Sequence, residues 1–127
     1  MKNDVEIDFE LWATTIPPRE ISNRTGIQAD VCLAKGERNS KLGLPRENRW
    51  SLRSRVQSDN VEDHWQDLER LLVSHKETLR EIAETGVARI TIIVNSASRI
   101  PPIGISPAMS AFAAFLNATI EIDHLQS

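Results

Sequence analysis

Tyrosine is absent from this chain, and cysteine occurs once, at Cys32. A lone cysteine cannot close an internal disulfide, so the fold does not rest on a bridge framework. Glycine is also scarce. The five glycines are scattered and make neither a G-x-x-x-x-G-K-[ST] loop nor a G-x-G-x-x-G loop, which removes the common phosphate cradles. The one turn with basic groups, Lys35-Gly36-Glu37-Arg38, carries an opposing glutamate. No apolar run approaches the length of a membrane span, and the opening residues Met1-Lys2-Asn3-Asp4 lead into no apolar h-region. No membrane partner is expected, and the compartment expected is the cytoplasm. No cofactor signature is present, so no cofactor is expected.

What the chain does have is ordinary globular composition, 40% hydrophobic and 26% charged. Its 127 residues suit a single domain, 1–127, able to bury its own core. The net charge of −3 hides an uneven distribution. Residues 35–55 hold seven basic and two acidic groups, whereas residues 56–86 hold three basic and eight acidic. The overall acidity disfavours nucleic acid as a partner.

Two periodicities organise the chain. Val5, Ile7, Phe9 and Leu11 alternate with Glu6, Asp8 and Glu10, the signature of a strand with one dry and one wet face. Pro17-Pro18 ends it, and a short helix to Thr25 follows, closed by Gly26. Val31 to Ala34 reads as a short strand and residues 35–48 as a loop. Arg49 to Val56 alternates again, with Trp50, Leu52 and Val56 on one side and Arg49, Ser51, Arg53 and Arg55 on the other. Val61 to Glu84 carries a helical stripe of Val61, Trp65, Leu68, Leu72, Leu79 and Ile82. Asn60 and its neighbours offer an N-cap, Ser74-His75-Lys76-Glu77 reads as a capping box that breaks the helix, and Gly86 is placed to end it. Val87 to Asn95 is a β-branched strand. Ser106-Pro107 starts a last helix, and Ala118 to Asp123 alternates as a last strand. The order β-α-β-β-α-β-α-β, with strands wet on one face, predicts an α+β fold: one mostly antiparallel sheet with helices on one face.

These landmarks resemble the bacterial family called domain of unknown function 4279. The resemblance is carried by the opening strand, Pro18-Arg19-Glu20-Ile21-Ser22, Thr25-Gly26-Ile27, Lys35-Gly36-Glu37 and Trp50-Ser51-Leu52. Leu68, Leu71 and Leu72, then Gly104-Ile105-Ser106-Pro107 and Ile120-Glu121-Ile122-Asp123, continue it in order across nearly the whole chain. One departure is that His124-Leu125 stands where such a family usually has an aromatic residue near the last strand. The resemblance implies an α+β fold and no particular activity.

Catalytic groups do not assemble in the sequence. His64 and His75 stand eleven residues apart, about 16 Å along a helix, too far to share a metal ion. His64 with Asp67 has ligand spacing but makes only two ligands. Cys32, between Val31 and Leu33, has no neighbouring base and reads as a small core residue. The arginine face is the most open candidate: Arg49, Arg53 and Arg55, with Arg46 and Arg38 nearby and the carboxylates Asp8 and Glu10 as possible companions. Guanidinium groups suit carboxylate or phosphate ligands. They equally suit pairing across the sheet with the acids of the first and last strands. Trp50 and Trp65 read as core, and Trp12 as half-exposed. The reading favoured is a non-catalytic protein-interaction module, immunity-type or self-associating, that uses its charged sheet face. The alternative is a small anion-ligand-binding protein or enzyme that uses the Arg49/Arg53 face. Its partner is then an unidentified protein or a second copy, met through the face or through an edge formed by the last strand or by the Arg49–Val56 strand.

Overall fold

A computed structural model describes residues 4–37, 45–95 and 100–125. The elements follow in the predicted order. They are β1 (Val5–Trp12), α1 (Pro18–Thr25), β2 (Val31–Leu33), β3 (Arg49–Arg53), α2 (Val61–Leu72), α3 (Lys76–Ala83), β4 (Val87–Val94), α4 (Pro107–Leu116) and β5 (Thr119–His124). A single 3-10 turn, Val73–His75, joins α2 to α3, so the long helical pattern does break where the sequence suggested.

The five strands form one sheet in the order β2-β3-β1-β4-β5. β1 lies at the centre, antiparallel to both β3 and β4. β2 pairs antiparallel with β3, while β4 and β5 run parallel. The parallel pair needs a crossover, and α4 supplies it. β5 is an edge strand; β3 is not, because β2 covers it. The expectation that the Arg49 strand forms an edge is therefore corrected.

One sheet face is dry. Val5, Ile7, Phe9 and Leu11 of β1, Trp50 and Leu52 of β3, and Ile90 and Ile92 of β4 meet Val61, Trp65, Leu68 and Leu72 of α2, Leu79 and Ile82 of α3, and Met109 and Phe112 of α4 in one core. Aromatic edges organise it. The Phe9 ring stands edge-on to Trp50 at 6.3 Å and to Phe112 at 5.9 Å between centroids. Trp65 lies 5.4 Å from Phe112. The Trp50 indole N–H donates to Ser22 Oγ at 3.0 Å, which ties α1 to the sheet.

Helix ends follow local chemistry, with two corrections. Asn60 Oδ1 accepts the Glu62 N–H, and Ser106 Oγ accepts the Met109 N–H. Gly26 adopts the left-handed conformation past α1, at φ 71°. Ser74, however, makes no cap: α3 begins after His75 with no side-chain capping bond. The preceding 3-10 turn already supplies backbone partners at that junction. Gly86 is not a left-handed cap either, since among the described glycines only Gly26 and Gly36 have positive φ. Its role is steric and concerns the chain crossing over it.

β3 ends at Arg53, earlier than the alternation to Val56 suggested. Ser54 turns the chain. Its N–H donates to the Ile7 carbonyl, while its Oγ accepts the Ile7 N–H at 2.9 Å. The hydroxyl also lies 2.7 Å from His64 Nδ1, and His64 Nε2 lies 2.7 Å from the Ser58 carbonyl. A carbonyl only accepts, so Nε2 carries the proton; in the neutral ring Nδ1 then accepts from Ser54. His64 is fully buried. It ties α2 to the turn after β3 directly and to β1 through the Ser54 hydroxyl.

Candidate functional site

Among the described residues no helix packs on the second sheet face. In the register, Asp8 pairs with Arg53 and Thr91, and Glu10 with Ser51 and Arg89. Alternation on each strand therefore gathers Glu6, Asp8 and Glu10 in the middle of this face, with Arg49 and Arg53 on one side and Arg89 on the other. Glu121 and Asp123 follow on β5.

A charge ladder crosses four strands of this face. Arg49 Nε lies 2.8 Å from Glu10 Oε2, Arg89 lies 3.5 Å from Glu10 Oε1, and Arg89 Nη1 lies 3.3 Å from Glu121. The Glu10 side chain is only 11% exposed, whereas Arg49 is 45% exposed. The two arginines thus roof the glutamate. Such cross-strand pairs are each worth about 0.2–1 kcal/mol, and the ladder stiffens the sheet. Two of the residues singled out from sequence, Arg49 and Glu10, are thereby engaged with each other.

The other candidates separate. Arg46 is exposed in the segment before β3, and Arg38 lies outside the described residues. Arg55 has left the sheet; its guanidinium reaches Asp30 Oδ1 at 2.6 Å and its N–H reaches Asp67 Oδ2 at 2.8 Å. The Arg53 N–H reaches Asp30 Oδ2 at 2.6 Å. The guanidinium of Arg53 has no ion-pair partner among the described residues. The Lys35-Gly36-Glu37 turn is self-satisfied, since Glu37 accepts the Ala34 N–H and pairs with Arg19 at 2.9 Å. Cys32 is half-buried against the core, and burial pushes its thiol above the ordinary value.

Asp8 is the perturbed carboxylate of the open face. Burial lifts it from 3.8 to about 6, Arg53 opposes the rise, and Glu10 adds to it. The folded state therefore binds this proton more tightly than the unfolded chain. The penalty is absent below about pH 4, grows as pH rises, and is complete above about pH 6. After screening by solvent it amounts to about 1–2 kcal/mol. Asp8→Asn is expected to stabilise the protein by about 1 kcal/mol at pH 7.5 and to leave it unchanged near pH 3.5. Thermal unfolding of both proteins between those pH values checks this; parallel curves would refute it.

Sequence reasoning did not single out Arg89, although its place in β4, in phase with Thr91, marks the wet face. Nor did it find the row that crosses the same face at one end. Leu33, Arg49, Trp12 and Val87 are successive register partners on β2, β3, β1 and β4. Trp12 is 40% exposed and Val87 42%.

The fold and this face define an α+β protein with helices on one side of a five-stranded sheet and an open, charged surface on the other. The family model described as Domain of unknown function (DUF4279) matches residues 3–127, essentially the whole chain, and the protein belongs to that family. No curated protein and no solved structure matches the chain. Among the described residues no helix is long and apolar enough to cross a membrane.

Proposed function

We propose that this protein is a non-catalytic protein-binding module whose contact surface is the open sheet face. The observation that carries the reading is the row Leu33, Arg49, Trp12 and Val87. An indole and a guanidinium side by side on a rigid surface are the residue types that dominate binding energy at protein interfaces. Single exposed apolar residues are ordinary on any surface. Here, however, Trp12 and Val87 are direct cross-strand neighbours, and the charge ladder beside them supplies a polar rim. An immunity-type protein that neutralises a toxin by covering it, and a module that associates with itself, are two forms of this reading.

Trp12→Ala tests it, because the indole projects from the face opposite the core. Tagged wild type is expected to capture a defined partner from its host lysate, or to sediment faster at higher concentration. Trp12→Ala is expected to lose that association by at least about tenfold, in line with interface tryptophans, while melting at nearly the same temperature. Equal capture by the variant would overturn the assignment of the face. No partner at any ionic strength, with a concentration-independent sedimentation coefficient, would overturn the module itself.

A further inference from the structure

Away from the Trp12 row, a cleft of about 450 Å³ opens between the segment after α1, the end of β3 and the second half of α2. This volume falls within the range of small-molecule sites, about 300–1,000 Å³. Three arginines line it, Arg53, Arg55 and Arg70, together with Asp67 and the apolar residues Ile27, Leu52 and Leu71. They come from three separate stretches of chain, so only the packing of α2 against the turn after β3 brings them together.

Two of the three cations are held in place by carboxylates. Asp30 Oδ1 lies 2.6 Å from the Arg55 guanidinium, and Asp67 Oδ1 lies 2.6 Å from the Arg70 guanidinium. The second oxygen of each carboxylate accepts a backbone N–H, from Arg53 for Asp30 and from Arg55 for Asp67. Burial raises Asp67, but the Arg55 N–H and the Arg70 guanidinium outweigh it and hold the carboxyl below its ordinary value. Both acids thus act as braces. Each leaves further N–H groups of its arginine available, because one guanidinium carries five donors. The third cation, Arg53, makes no ion pair among the described residues. Its register partner Asp8 acts on it only through space, without an ion pair, so the Arg53 donors are the ones not already committed to a carboxylate.

We propose that this cleft binds a small organic anion, a carboxylate or phosphate ester with an apolar body. The anionic head takes the donors of Arg53, with those of Arg55 and Arg70 at its flanks, and the body covers Ile27, Leu52 and Leu71. Preorganisation by the two aspartates lowers the ordering cost that long arginine side chains otherwise incur on binding. The site shares Arg53 with the open sheet face but needs neither the Trp12 row nor any protein partner.

The test is titration of the full chain with phenyl phosphate, benzoate, inorganic phosphate and benzyl alcohol, followed by amide chemical shifts. Phenyl phosphate or benzoate is expected to give saturable shifts at Gly26, Ile27, Gln28, Arg55 and His75, with a Kd of about 1 mM or tighter. Inorganic phosphate should bind more weakly and neutral benzyl alcohol should not saturate. Arg53→Gln should weaken binding about tenfold or more, the size of one charge-assisted contact, while lowering the melting temperature only slightly, because this guanidinium holds no ion pair and acts on Asp8 only through space. Arg19→Gln, remote from the cleft, should bind as wild type. No saturation by either aromatic anion at about ten times that concentration, equal binding of benzyl alcohol, or unchanged affinity in Arg53→Gln would each overturn the proposal.

Discussion

Phe9→Ala is expected to lower the unfolding free energy by about 4 kcal/mol, the range for removing a buried ring. Phe9 is fully buried at the middle of the central strand, and its ring is the one that touches both Trp50 and Phe112. The truncation loses the transfer energy of the ring, two edge-to-face contacts, and the packing of a cavity between sheet and α4. Neighbours on β3 and β4 are fixed by strand pairing and cannot collapse into the space. Against a total stability of about 5–15 kcal/mol for a protein of this kind, the variant should melt roughly 10–20 °C lower. Phe9→Leu keeps most of the volume and should lose only about 1–1.5 kcal/mol. Circular-dichroism melts of the two variants provide the check. A Phe9→Ala protein within about 1 kcal/mol of wild type would mean that Phe9 is not the hub of the core.

Gly86→Ala has the second-largest expected effect, a loss of about 2–3 kcal/mol. A Cβ at Gly86 would stand 2.5 Å from the Trp12 carbonyl oxygen, 2.7 Å from the Thr14 nitrogen and 2.8 Å from the Ala13 carbonyl carbon. All three are backbone atoms, so no side chain can rotate out of the way. The segment they belong to is itself pinned. Ala13 holds a positive φ of 57°, its N–H donates to the Asn48 carbonyl at 2.8 Å, and the Thr15 N–H donates to Thr85 Oγ1 at 3.1 Å. Relief therefore requires moving the end of β1 or the start of β4, and Trp12 pairs with Val87 at that point. Urea unfolding should show a lower midpoint with an unchanged slope. The same distortion should weaken any association that uses Trp12, which links this glycine to the proposed contact face. A midpoint indistinguishable from wild type would show that the crossing is looser than these distances require.

The Gly86 result also marks where reading residues in order reaches its limit. A glycine just past a helical pattern is ordinarily a left-handed cap, and Gly26 is one. Gly86 occupies the same kind of position for a different reason, because a distant strand end passes over it. The strand after Arg49 behaves similarly. Its alternation continues to Val56, but the Ser54 hydroxyl takes a bond that a straight strand would have left to the backbone, and His64 holds it there. The capping box at Ser74 fails because the preceding turn tightens to a 3-10 turn and already satisfies the local backbone groups. In each case a contact from elsewhere in the chain overrides a local preference.

The candidate site was legible in the same uneven way. The wet faces of β1 and β3 follow from the phase of charged residues, so Asp8, Glu10, Arg49 and Arg53 could be placed on one surface from sequence alone. Which charges meet could not. On β3 Glu10 bonds Arg49 diagonally and not Ser51 directly opposite, and its second partner, Arg89, faces it from a strand almost eighty positions later. Arg53 and Arg55, two residues apart, serve different purposes. One lies on the sheet face at the mouth of a cleft; the other has turned out of the sheet to meet Asp30.

Alternation of apolar residues at period two and period 3.6 was enough to determine the element order, the identity of the dry faces and the layered α+β architecture. These depend on side-chain direction along a local stretch of backbone, which a short segment carries by itself. Strand order, the central position of β1, the pairing of charges across four strands, the crossing above Gly86 and the convergence of Arg53, Arg55 and Arg70 were decided only by tertiary structure. They depend on distances between residues far apart in the chain, and those distances exist only once the helices have packed on the sheet and excluded water from between them.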